Sequence, residues 1–546
     1  MICFLLTIGR TLEDLEALAT PRSPFAARTA RLPAWGGGCR GWAPRPARRG
    51  PHGRMAWAAL AAAVVFTAHC RRPAPLPERP LRIALDGAAF TLDPHAGELL
   101  TLSVLRNLYD SLTAFDAGNR VGPALAESWE NPDELTWIFH LRRGVSFHDG
   151  RELTARDVLF SFERARRAPT SEIGSYLVAI EKVLALDPHT VEITTRRPDP
   201  ILLNKIAFVL VVPAGSPPVI VRPVSTGPYR LVVHEPGKRL VLRAFERYWG
   251  GTPPERAVEL LPVPDPDARV KGLLDGDLDI VEEPGFADLA RIRAAPGCRI
   301  ARQTRSLGVT YLLLRNDRRP LDDLRTRRAL SLALDRGELV RTALHGEGVP
   351  IGQMVTGNVF GFAPDIRPPV ASPATARALL AAAGHPGGLD LELQIRPGAR
   401  PELDALARQL LSGGIRVHAR ERPIEEFSPD AEISFASWFC LSGDASDFFD
   451  AMAHSPSAES GYGAGNFIHY RNRELDALIE DSESALDLLA RRTQLEHAMH
   501  VLMADFVFIP LYSAPILYGT RDTVDWQPRS DDLILVNTIR RRAPHG

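Results

Sequence analysis

The chain has fifteen histidines and five cysteines, the side chains that most often hold metals or act as nucleophiles. A zinc hydrolase would place two imidazoles on one helical face as HExxH. That motif does not occur, and the histidines are scattered. Cys3, Cys39, Cys70, Cys298 and Cys440 form no CxxC pair, so there is no zinc framework. Cys298 and Cys440 could bridge in an exported protein, and their spacing leaves that open. There is no GxSxG elbow to raise a serine nucleophile and no phosphate-cradling Walker loop. Asp444 and Asp447 have the spacing of an acid pair, but nothing in the pattern partners them. The residues argue against an enzyme, and they call for no metal and no cofactor.

At 546 residues the chain has room for two or three domains. Its 65 basic and 66 acidic residues nearly cancel, which gives no electrostatic case for nucleic acid. Residues 1–54 are rich in Arg, Pro, Gly and Ala and carry no apolar period. They read as an unstructured extension, with translation beginning at Met55 as the preferred explanation and a disordered or targeting segment as the alternative. Within residues 55–70, the run Ala56 to Ala68 is too short to span a bilayer but suits the apolar core of a signal peptide. Arg48, Arg49 and Arg54 supply the positive charge before it. Cys70 follows directly, where a lipoprotein carries its acylated cysteine, although His69 stands where a small residue is expected. Residues 71–80 are a Pro-rich linker.

The stretch Gly122 to Ala165 reads as strand, turn, strand, turn, helix. Thr136 to Arg142 mixes β-branched and aromatic residues with polar ones, and Asn131-Pro132-Asp133 and His148-Asp149-Gly150 are turn chemistry. Thr154 opens a helix with Asp157 in the place of the usual capping Glu, and Val158, Phe162 and Ala165 follow at helical spacing. Before it, Leu81 to Leu85 is the first strand. A helix from about Thr101 to Ser111 would carry Leu102, Leu105 and Leu108 on one face. After it, Glu181 to Thr195 is a hairpin and Tyr311 to Asn316 a buried strand. Helices are expected over 324–340, 373–384, 403–411 and 474–504, and a return strand at Ile509 to Tyr512.

The order of residues in these elements is specific. Leu125-Ala126-Glu127-Ser128-Trp129-Glu130 leads into W-x-F-x-L-R-x-G-V-x-F-x-D-G at Trp137 to Gly150, and then Leu153-Thr154-Ala155-x-Asp157-Val158. Leu92-Asp93-Pro94, Thr226-Gly227-Pro228-Tyr229, Tyr248-Trp249-Gly250-Gly251 and the Arg325 to Arg336 helix add four further matches. Together they resemble the extracytoplasmic solute-binding proteins of family 5, the peptide- and nickel-type receptors of ABC importers. The resemblance covers roughly residues 81 to 540.

The resemblance implies an α/β, two-lobe periplasmic-binding-protein-like fold of class II with a small α+β domain inserted in the first lobe. The expected divisions are lobe I at 81–110, 221–310 and 511–546, the inserted domain at 111–220, and lobe II at 311–510. It implies a small-molecule or peptide-like ligand between the lobes, an ABC permease with its ATPase as partner, a periplasmic location with a possible lipid anchor at Cys70, and a monomer. By resemblance, Trp438 is a pocket aromatic, Tyr512 lies near the second crossing between lobes, and Glu98 lies in the loop after Leu92-Asp93-Pro94. Peptide receptors of this family carry an Asp three residues after that Trp to pair with the ligand's α-amino group. Here the position is Leu441, and Asp444 matches the next acid of the run. A leucine cannot balance a buried ammonium, so ordinary peptide binding is in question while the receptor role is not. A sensor or assembly protein on the same scaffold is the second reading, and a cleft enzyme the third.

Overall fold

A computed structural model describes residues 79–88, 91–96, 101–168, 173–397, 400–422, 426–428, 430–457 and 460–542. Residues 1–54, the apolar run, Cys70 and Glu98 lie outside the described residues.

Two large sheets organise the chain. The first has seven strands, in the order Cys298–Gln303, Ile516–Arg521, Ile280–Glu282, Leu81–Leu85, Ala257–Pro262, Arg239–Ala244 and Tyr229–Glu235. Leu81–Leu85 runs parallel to both Ala257–Pro262 and Ile280–Glu282. The second has six strands, in the order Val349–Pro350, Phe508–Ser513, Gly308–Leu314, Ile433–Phe439, Leu389–Ile395 and Ile415–Glu421. There Leu389–Ile395 runs parallel to both Ile415–Glu421 and Ile433–Phe439. Parallel strands need crossover connections, and helices such as Pro266–Asp275 and Arg400–Ser412 supply them.

A third, four-stranded sheet joins Ala126–Glu130, Thr136–Leu141, Thr190–Thr195 and Ile180–Asp187. The helix Ala155–Arg167 packs on it through Val158, Phe162 and Ala165, the face its period sets out. At its start the Asp157 carboxylate accepts from both the N–H and the O–H of Thr154, each at 2.8 Å. Arg164, near its end, donates to the fully buried Asp93. The Leu92-Asp93-Pro94 turn is thus fastened to this domain.

Three of the expected helices are shorter or divided, while the one expected over 403–411 runs longer, as Arg400–Ser412. Over 101–111 the α-helix spans Leu102–Leu105 only. Beyond it, the carbonyls of Asn107 and Leu108 accept from the backbone N–H groups of Tyr229 and Gly227, so a helical ladder cannot use them. The expected helix over 324–340 is two, Leu324–Leu332 and Arg336–Ala343, and Asp335 caps the second by accepting from Glu338 N–H. Residues 474–504 divide in the same way into Arg473–Ser484 and Leu488–Ala504, with Asp487 as the cap. In both places an Asp offers the backbone a local alternative to continued helix.

Two of the sequence motifs meet at one buried carboxylate. Asp110 accepts from the hydroxyl of Thr226 at 2.9 Å, the indole N–H of Trp249 at 2.9 Å and the hydroxyl of Tyr248 at 3.2 Å. Burial pushes the Asp110 carboxyl up, and the three donors work against that. Trp249 is therefore a structural strut. Gly227 is required for a different reason: a Cβ there would stand 2.3 Å from the Leu108 carbonyl. Gly227→Ala should destabilise the protein by about 2–4 kcal/mol, because backbone would have to move. Urea unfolding of the variant measures this, and a loss of less than about 0.5 kcal/mol would contradict the close approach.

Candidate functional site

The two sheets are joined by a pair of chain crossings. Cys298–Gln303 in the first sheet leads through residues 304–307 into Gly308–Leu314 in the second. Phe508–Ser513 leads back through 514–515 into Ile516–Arg521. The crossing strands are antiparallel neighbours in both sheets. Ser306, Ala514 and Pro515 line a cavity of about 460 Å³ beside these crossings, a size that suits a small organic ligand.

The parallel strands aim their carboxyl ends at this cavity, the place where open α/β sheets bind ligands. From the first sheet, Asp86 follows Leu85, Pro264 follows the strand ending at Pro262, and Glu283 follows Glu282. From the second, Arg396 follows Ile395, and Phe439 ends its strand. Tyr512, Glu402, Thr310 and Ser437 complete the second wall. Thr310 and Ser437 share a hydroxyl–hydroxyl hydrogen bond of 3.0 Å.

The first wall is acidic. Asp532, 5% exposed, accepts the Tyr518 hydroxyl on Oδ1 at 2.6 Å. Burial, followed by the charge of Glu283, pushes its carboxyl up to about 7. Asp86 is raised by burial and then by Glu283. Glu282, which accepts the Asp86 backbone N–H at 3.1 Å, is pushed well above the usual range by burial and then by Asp86. On the opposite wall, burial and then the charge of Glu402 raise the Tyr512 phenol.

Of the expected ligand residues, Tyr512 lines the cavity. Glu98 lies outside the described residues. Trp438, Leu441 and Asp444 do not line it, and each has a physical reason. Side chains alternate along a strand: Ser437 and Phe439 face the cavity, so Trp438 faces the core behind, 1% exposed and edge-on to Phe448. Leu441 is 5% exposed and joins the first-sheet core that holds Leu102 and Phe208. Asp444 is taken by Arg491, which donates to Oδ2 at 2.6 Å and to Oδ1 at 2.8 Å. Asp447 accepts the Tyr176 hydroxyl at 3.1 Å, so the two acids serve different partners. Cys298 and Cys440 are both free and buried in separate cores, so they do not pair.

Asp86, Glu283, Arg396 and Asp532 were missed by motif reading. The first three could have been found from topology, since each stands directly after a strand of a parallel pair. Asp532 had no such signal. It lies far along the chain, on the segment after Ile516–Arg521, and only tertiary packing brings it to Glu283.

The chain belongs to the bacterial extracellular solute-binding proteins, family 5, whose model matches residues 120–460. It is an extracytoplasmic solute-binding protein of the ABC-importer type. It is 26% identical to Heme-binding protein A of Haemophilus influenzae over 74% of this chain and 81% of that protein. It is 27% identical to the Dipeptide-binding protein of Escherichia coli over 76% of this chain and 84% of that protein. Among solved structures, it is similar to the periplasmic binding protein DppA of Helicobacter pylori in complex with the peptide STSA. The TM-score is 0.77 at 21% identity, covering 84% of this chain and 98% of that one. The two-lobe fold and the small additional domain agree with the expectation from the sequence.

A carboxyl raised in the folded state costs stability at high pH, and the cost fades as pH falls through the folded value toward the unfolded one. For Asp532 that window runs from about 7 down to the ordinary carboxyl value of 3.8. Asp532→Asn keeps an acceptor for Tyr518 but cannot carry the charge. In ligand-free protein it should be more stable than the parent by about 1–3 kcal/mol at pH 8, and the difference should shrink steadily toward pH 4. Chemical unfolding of both proteins across pH tests this, and a pH-independent difference would count against a raised Asp532.

Proposed function

We propose that this protein binds a small polar, peptide-like solute in the cavity between the two sheets and presents it to an ABC permease with its ATPase, acting as a monomer in the periplasm. The observation that carries this reading is the position of the cavity. It lies at the carboxyl ends of parallel strands from both sheets, beside the only two chain crossings between them among the described residues. Such a site is completed when the lobes approach, so ligand binding and closure are linked. The walls offer both signs of charge: Asp86, Glu283 and Asp532 on one side and Arg396 on the other. They also offer Tyr512 and Phe439 as apolar surface. The relatives named for haem and for dipeptides show that the family accommodates different solutes, so the lining of this cleft has to select the ligand.

Export by the apolar run Ala56 to Ala68 and acylation of Cys70 belong to the same reading. A receptor held near its permease by lipid would meet it more often than a freely diffusing one. No described helix is long and apolar enough to cross a membrane, so within those residues any membrane attachment would have to come from elsewhere.

Two measurements test these points. Small-angle scattering of the purified protein with a saturating bound solute should show a smaller radius of gyration than without it, and equal radii would speak against closure. Cys70→Ser should move the protein from the membrane fraction to the soluble periplasmic fraction. Unchanged membrane association would exclude Cys70 as the anchor.

A further inference from the structure

The lobes also meet at a second place, through residues that do not line the cavity between the sheets. The inserted domain is built onto the first lobe. Asp93, in the turn after the first strand, accepts from Arg164 at 2.8 Å and from the Ile220 N–H at 2.9 Å. Asp110, at the entry to the domain, accepts from Thr226 and Trp249 of the first lobe. Whatever the inserted domain grips is therefore tied to the first lobe.

It grips the second-lobe segment that follows Ile433–Phe439. Leu441 leaves its own lobe and is buried in the first-sheet core. With Leu102, Phe115 and Phe208 it lines a cavity of only about 40 Å³, room for water and not for a solute. The residues around this leucine are held by the inserted domain. Asn204 Nδ2 donates to the Ser442 carbonyl at 2.7 Å. Gly443 lies so close under Asn119 that a Cβ there would stand 2.6 Å from Asn119 Nδ2. The Tyr176 hydroxyl donates to Asp447 Oδ1 at 3.1 Å. Arg197 pairs with Glu483, on the second-lobe helix Arg473–Ser484, and its guanidinium lies 5.2 Å from the ring centre of Tyr462. An apolar side chain buried across a seam favours the two sides together, because parting them returns it to water. The polar contacts fix where the sides meet and lose their partners when they part.

We propose that this seam is a clasp built into the fold: Leu441 is its peg, Tyr176, Arg197 and Asn204 of the inserted domain hold the chain around the peg, and together they bias the lobes toward the closed arrangement before any solute binds. The ribbon sets the path along which the lobes move, and the clasp sets where they rest. A solute enters when the clasp releases, and once bound it adds its own contacts to the same closed arrangement. The clasp also gives Leu441 a role. The position serves the seam between lobes and leaves ligand contact to the residues that line the main cavity.

The test needs no solute, so its outcome is separate from that of the receptor reading. It uses the full chain, freed of bound solute, and two variants: Leu441→Ala, which removes the peg, and Tyr176→Phe/Arg197→Gln/Asn204→Ala, which removes the polar grip. Leu406→Ala, a fully buried leucine of the second-lobe core away from the seam, is the control for loss of packing alone. Circular dichroism confirms that each protein is folded. Small-angle scattering should give both clasp variants a larger radius of gyration than the parent, and Leu406→Ala the same radius as the parent. Hydrogen exchange read by mass spectrometry follows the side of the seam that each variant leaves intact. Residues 199–208 should exchange about tenfold faster in Leu441→Ala, and residues 441–447 about tenfold faster in the triple variant. An unchanged radius and unchanged exchange in either folded clasp variant would overturn the clasp. An equal change in Leu406→Ala would also overturn it, since the effect would then be general loosening.

Discussion

The architecture depends on one antiparallel ribbon that belongs to both sheets. Cys298–Gln303 pairs with Ile516–Arg521 in the first sheet, and the same two segments of chain, continued, pair as Gly308–Leu314 with Phe508–Ser513 in the second. Between the paired stretches lie four residues on one strand and two on the other, 304–307 and 514–515. Paired strands resist shear along their length, while the unpaired link can absorb backbone rotation. A ribbon of this kind therefore allows the sheets to change their angle while keeping their register. Because it runs beside the cavity, any change in that angle alters the cavity directly. The elements that line the cavity and the elements that join the two sheets are the same.

The ribbon also explains why the cavity is lined as it is. Each sheet contains a parallel set whose carboxyl ends point toward the link, so the residues just after those strands become the walls. That rule needs no knowledge of side chains. It yields Asp86, Glu283 and Arg396 from chain order alone, once the strands and their directions are known.

Much of the fold was legible in the sequence, and for identifiable reasons. The strand-turn-helix unit at 122–165 has alternation, turn residues and a cap that agree with one another, and it forms as read. The helix ends were less legible. At 107–108 the backbone carbonyls are claimed by a segment more than a hundred residues away, and no local pattern records that. The site was legible only in part. In Ile433–Phe439 an apolar face is buried on either side, so composition cannot say which face meets the ligand. A motif match put Trp438 there, while the pleat turns Trp438 into the core and Ser437 and Phe439 toward the cavity. Asp444 looked available because its partner, Arg491, lies on the helix Leu488–Ala504, with no sequence relation to it.

The contrast between Asp444 and the first-wall acids turns on how each charge is balanced. Asp444 is buried and fully matched by a bidentate guanidinium, so it stabilises a specific packing and has no capacity left for a ligand. Asp86, Glu282, Glu283 and Asp532 crowd one wall, and the adjacent Arg269 spends its donors on backbone carbonyls. Burial raises the carboxyls of Asp86, Glu282 and Asp532 while Glu283 is lowered, so the cost of that crowding falls on the first three. A protein selected for stability alone would relieve such a cluster with a single Asn or Lys, and marginal stability makes such changes easy to find. Asp444 thus contributes to packing, whereas burial makes Asp86, Glu282 and Asp532 a cost carried at the edge of the cavity.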